Sequence, residues 1–131
     1  MTDHPNAVTM RAALEAFLRG DMETLAGSIA DDVVWHAPGA NALSGDFVGK
    51  AATLERMGKM RASGIQVTFD IHDVVGNDEH VVVMVNATVS NAKGDSATGP
   101  QVQIMHVRDG KMAEFWAMNE DQAAVDAVIN G

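Results

Sequence analysis

Apolar residues recur at helical spacing through the first part of the chain and at strand spacing through the rest. Met10, Leu14, Phe17 and Leu18 fall at i, i+4, i+7 and i+8, which predicts a helix over residues 6–19 closed by Gly20. Asp21 is a good N-cap for a second helix, with Met22, Leu25 and Ile29 on its apolar face and an end expected at Ala30. Asp31-Asp32 then breaks to a short strand, Val33 to Ala37, which Pro38-Gly39 stops. A loop closes on Gly45-Asp46-Phe47 before a third helix, Lys50 to Ala62, built on Leu54, Met57 and Met60 and ended by Ser63-Gly64.

Beyond Gly64 the period changes to two. Ile65, Val67, Phe69 and Ile71 alternate with Gln66, Thr68, Asp70 and His72, predicting a strand over residues 65–75 with one wet face. Gly76-Asn77-Asp78 turns the chain into His80–Ser90, whose unbroken run Val81 to Val85 predicts burial on both faces. A loop, Asn91 to Gly99, leads to a strand at Gln101–Val107. Asp109-Gly110 is a type I′ hairpin signal, because both residues tolerate positive φ. A last strand, Lys111–Met118, precedes a short helix, and Asn119 with Gln122 three residues on reads as its capping box. The pattern is α+β, with a strongly curved, mainly antiparallel sheet folded over the helices. At 131 residues the chain is expected to form a single domain, 1–131, burying about two-thirds of its unfolded surface.

Composition narrows the partners. The formal charge is −9 and the nine basic residues are scattered, which argues against nucleic acid or an anionic membrane. Without cysteine there is no disulfide framework and no thiol nucleophile, which fits a cytoplasmic setting. The N-terminal segment lacks the pattern of a secretory signal, and no apolar run reaches the length of a membrane span.

The segment Ala30 to Lys50, ADDVVWHAPGANALSGDFVGK, with Gly20-Asp21 before it and His106-Val107-Arg108-Asp109-Gly110-Lys111-Met112 through Glu114-Phe115-Trp116 after it, resembles the SnoaL-like branch of the nuclear transport factor 2/ketosteroid isomerase superfamily. The resemblance runs from about Val8 to Val128 and implies an NTF2-like cone: three N-terminal helices packed in the curved sheet around a pocket, with a short C-terminal helix. It also allows the family's chemistry to be checked position by position. A ketosteroid isomerase, the system in which a protonated carboxylic acid serves as a hydrogen-bond donor, needs a carboxylate base, a Tyr and that neutral acid. The matching positions here are Ala37, Ala13 and Gln103, and the chain has no tyrosine. The inward carboxylates of the epoxide hydrolases of this fold are not matched either, since the corresponding position is Ala117 and the strand Arg, Arg108, sits at the hairpin. For the acid/base pair of a polyketide cyclase the candidates are His36, Gln103, His106 and Asn119, with Asp46 at the pocket mouth.

In the isomerase register Trp35 and Ala37 face inward, which sends His36 behind the wall or into an interface. A neutral His could still act as a base near neutral pH, so His36 and Gln103 stand as catalytic candidates. A buried amide must find partners, and orienting a ligand carbonyl would satisfy Gln103. The ligand-binding set expected is Trp35, Ala37, Phe47, Met57, Gln103, Met105 and Asn119. Nine methionines fit a soft apolar cavity, to which Met60 also belongs. The histidines are split between faces at no chelating spacing, so neither a metal nor a cofactor is expected. Period two sends Glu114, Trp116 and Met118 outward beside Ile104 and His106, a patch that reads as an interface for an isologous homodimer. Two functions follow: a pocket protein for a small apolar molecule, or a cofactor-independent isomerase, cyclase or dehydratase acting on an apolar carbonyl compound.

Overall fold

Helical spacing sets the helices at both ends of the N-terminal segment. In the computed structural model, which describes residues 3–131, α1 spans Pro5–Leu18 and buries Met10, Ala13 and Leu14. Pro5 sits in its first turn, where a missing N–H is harmless. Helix α3 spans Lys50–Ala62, the predicted boundaries, and buries Thr53, Met57 and Met60. Between them α2 spans Met22–Gly27, with the Asp21 carboxylate accepting from the Thr24 amide.

The second helix is shorter than its apolar spacing predicts. Ile29 opens β1, which spans Ile29–Ala37, instead of closing α2. The cause is a partner distant in sequence: Ile29 aligns with Met112, and the Met112 amide donates to the Ser28 carbonyl at 2.8 Å. Asp31-Asp32 therefore lies inside a strand, in the stretch between Ile29 and Val34 where the register shifts. Gly45–Val48 is a strand, β2, rather than a loop, placing Phe47 opposite Trp35 and Asp46 opposite His36.

The meander comprises β3 at Gln66–Gly76, β4 at His80–Ser90, β5 at Ser96–Arg108 and β6 at Lys111–Asn119. Strand β5 begins earlier than expected, because Gly99-Pro100 does not break it. Strand β6 ends at Asn119, opposite Gln101, so Pro100 lies where β5 has a neighbour on one side only. There a missing N–H is tolerated. Asp109 and Gly110 take φ of 54° and 72°, as the hairpin requires. Burial alternates along β4, with Val81, Val83 and Val85 buried and Val82 and Met84 partly open, so one face packs and not both.

The six strands form one curved sheet in the order β2-β1-β6-β5-β4-β3, antiparallel except for the β1–β6 pair. With the helices on its inner face this is the expected α+β cone. Met10, Ile29, Met105 and Met112 are fully buried in the main core. Helix α4, Gln122–Asn130, packs against β4, β5 and β6. No helix among the described residues is long and apolar enough to cross a membrane.

Candidate functional site

The inner face of the sheet, with α1, α3 and α4, encloses a cavity of about 310 Å³. Two stacked aromatic pairs give it flat apolar walls: Trp35 with Phe115 at 3.8 Å between centroids, and Phe17 with Phe69 at 5.7 Å. Met57 and Met60 contribute from α3, and Val125 and Ile129 from α4.

A line of amides crosses one wall. Gln103 is 2% exposed, and its Nε2 donates to Gln101 Oε1 at 2.8 Å. Gln101 donates in turn to Asn119 Oδ1 at 2.9 Å, and Asn119 to Gln122 Oε1 at 2.8 Å. Gln122 donates to Asp126 Oδ1 at 2.9 Å. The far end fixes the direction of the whole series. Asp126 also accepts from the Asn41 side chain and the Ala40 amide, and these bonds hold its carboxyl below the usual range. An ionised carboxylate only accepts, so Gln122 must turn its NH₂ toward it. Each amide then turns the same way, and the carbonyl of Gln103 is the free end. Gln103 Oε1 finds no donor among the described residues.

The anchor of this relay also closes the cavity. Pro38-Gly39 and the loop after it lie against α4, joined by the Asp126 bonds and by Asn130 donating to the Ala40 carbonyl at 3.0 Å. Gly39 has φ of +90°, and a Cβ there would fall 2.2 Å from Asp126 Oδ1. Only glycine allows the loop so close to the carboxylate.

Arg56 is the cation of the wall. It lies on the buried stripe of α3, three residues after Thr53 and four before Met60. Nε donates to the Leu43 carbonyl at 2.9 Å, and the guanidinium sits 5.7 Å from the centre of the Phe47 ring. Burial pushes its pKa down from the ordinary value, and no carboxylate among the described residues pairs with it. Asp121, the other titratable side chain in the wall, is exposed and caps α4 by accepting from the Ala124 amide.

Of the expected ligand-binding residues, Trp35, Met57, Gln103 and Asn119 line this cavity. Ala37 and Met105 do not, because the core closes around them. Phe47 stands behind Arg56 as its aromatic support rather than at the cavity surface. The helix cap is Asp121, not Asn119, which ends β6 in extended backbone and belongs to the relay. Phe17, Phe69, Arg56, Gln101 and Gln122 complete the site.

His36 lies outside the cavity. Its ring stacks on Trp116 at 5.1 Å, with Nδ1 2.8 Å from Asp46 and Nε2 2.7 Å from Glu114. Two flanking carboxylates require a donor on each nitrogen, so the imidazolium is the form that fits, and its pKa is raised, chiefly by Glu114 and then by Asp46. Such a ring has no lone pair for base catalysis, and Asp46 is its partner rather than a group at the pocket mouth. His106 continues this outer network, edge-on to Trp116 and 3.4 Å from Glu114, with His80 edge-on beyond it. Among the described residues no three His, Asp or Glu side chains converge as a metal site.

This fold and cavity define an NTF2-like cone. The sequence profile of the SnoaL-like domain matches residues 10–115, and the chain belongs to that family. No curated protein matches the chain. Solved structures match over nearly the full length. An NTF2-like protein of unknown function from Burkholderia pseudomallei is 23% identical with a TM-score of 0.87, over 98% of this chain and 99% of that one. TerC, co-crystallised with polyporic acid, is 23% identical with a TM-score of 0.85, over 98% and 100%. IdmH from Streptomyces antibioticus, described as a proposed polyketide cyclase, is 23% identical with a TM-score of 0.72, over 96% of each chain. At these identities the likeness establishes a shared fold.

Proposed function

We propose that this chain is a pocket protein for a small, mostly apolar molecule that bears a hydroxyl or N–H group. One observation carries the reading: a carbonyl oxygen, Gln103 Oε1, is buried at the cavity wall without a donor. A buried acceptor left unpaired costs roughly 1–3 kcal/mol, and a ligand donor would relieve that cost. The polarity is the reverse of the one expected from sequence. Gln103 offers an acceptor, so it suits a hydroxyl rather than a carbonyl. That TerC, a protein of the same fold, was co-crystallised with polyporic acid supports a small-molecule reading.

A cyclase, isomerase or dehydratase is the second reading, favoured by the Arg56 cation, which could stabilise an enolate oxygen. Its weakness is the missing base. Arg56 holds its proton, and Asp121 is exposed at the start of α4. We therefore place binding ahead of proton transfer, and we propose the outer sheet face as a homodimer contact. Native mass spectrometry of freshly purified protein should reveal a retained small molecule, and Gln103→Leu should lose it. Retention of the same mass at the same occupancy in that variant would overturn the assignment.

A further inference from the structure

Arg56 has donors to spare. A guanidinium carries five N–H groups, and the bond from Nε to the Leu43 carbonyl is the hydrogen bond it makes to the described residues. The Phe47 ring supports one side of the group without supplying an acceptor. A partly desolvated cation at the wall of a largely apolar cavity, with no carboxylate among the described residues within ion-pair distance and Asp121 exposed at the start of α4, is poised for an anion brought from outside. The rest of the wall gives that anion its body. Phe17 with Phe69 and Trp35 with Phe115 offer aromatic faces, and Gln103 Oε1 offers an acceptor.

We infer that the ligand class of this cavity is an aromatic organic anion, with its acidic oxygens on Arg56 and a hydroxyl or N–H on Gln103. The inference rests on the pocket reading and adds the charge. On a chain of formal charge −9 an organic anion is repelled at long range, so a close, partly desolvated charge-assisted contact at Arg56 must supply the recognition. A phosphate without an aromatic body would leave the two stacked pairs unused.

Two fluorescent probes separate the parts of this inference. 8-Anilinonaphthalene-1-sulfonate carries an aromatic body, an N–H and an anionic group. N-phenyl-1-naphthylamine is the same body and N–H without the anion. With wild-type protein both should bind at one site per chain. Arg56→Gln should weaken the sulfonate about tenfold or more, as loss of one charge-assisted contact requires, and leave the neutral amine within about twofold. Arg56→Lys should restore part of the sulfonate affinity, with circular dichroism confirming that each variant is folded. Gln103→Leu should weaken both probes. Equal weakening of both probes by Arg56→Gln, or of neither, overturns the anion inference while leaving the pocket reading intact. Failure of both probes to bind wild-type protein overturns both.

Discussion

His36 bridges two strands by its charge, since Asp46 on β2 and Glu114 on β6 face its two ring nitrogens. Its folded pKa lies above the ordinary 6.5, so the imidazolium stabilises the fold in full below that value. The contribution fades as pH rises through the folded value. The difference in thermal midpoint between wild-type protein and His36→Gln should therefore be largest in mild acid and shrink toward pH 9. A difference that is flat with pH would contradict the assigned charge. The cavity wall behaves differently. Gln103→Leu deletes an unpaired buried carbonyl but leaves Gln101 Oε1 without its donor, two opposed effects of roughly 1–3 kcal/mol each. The variant should stay close to wild type in urea denaturation while losing its ligand. Gln103 was legible in the sequence as an inward polar residue, but the sense of its amide was not. That sense is set by Asp126, more than twenty residues away and on another element. Arg56 was also within reach, because an arginine in the Thr53–Met57–Met60 stripe of a helix is out of place on an apolar face.

At the scale of elements, periodicity recovers α1, α3 and β4 to within a residue or two and fails where pairing decides the outcome. Ile29 satisfies a helical stripe and a strand equally well, and Met112 takes it for the strand. Four residues containing Gly45 and Asp46 carry too little pattern to announce β2, which exists because β1 offers it an edge. The element with the greatest bearing on the cavity is α4, held to the Pro38–Ser44 loop by Asp126. Gly39→Ala would add a Cβ against that carboxylate at a positive φ, a clash plus backbone strain of order 1–3 kcal/mol. Hydrogen exchange in this variant should quicken in α4 and the loop and stay unchanged in α1 and β4. Uniform quickening throughout would instead mean a global loss of stability.

The whole molecule has two faces of different character. Inside, apolar residues close a core and a cavity; outside, Met118 is 49% exposed and Val102 36%, beside Ile104 and Trp116. We propose that a second copy covers this face, and light scattering should give twice the chain mass for wild type and a monomer for Met118→Glu. A monomeric wild type at micromolar concentration would refute the dimer. The cone as a whole was readable because its signals are ordered along the chain: three helical stripes, then alternation broken by turns. Its closure was less so, since the parallel β1–β6 pair joins segments far apart in sequence and leaves no local mark. Strand β6 follows the other five strands of the sheet in the chain, yet it takes an interior place between β5 and β1. Without it β1 and β5 each keep an open edge, and the β1–β6 pair is a non-local contact that carries a loop-closure cost. The wall that carries Trp35 against Phe115 thus depends on a strand that follows the other five in the chain, and a chain cut before β6 would lack the cavity as well as the pairing.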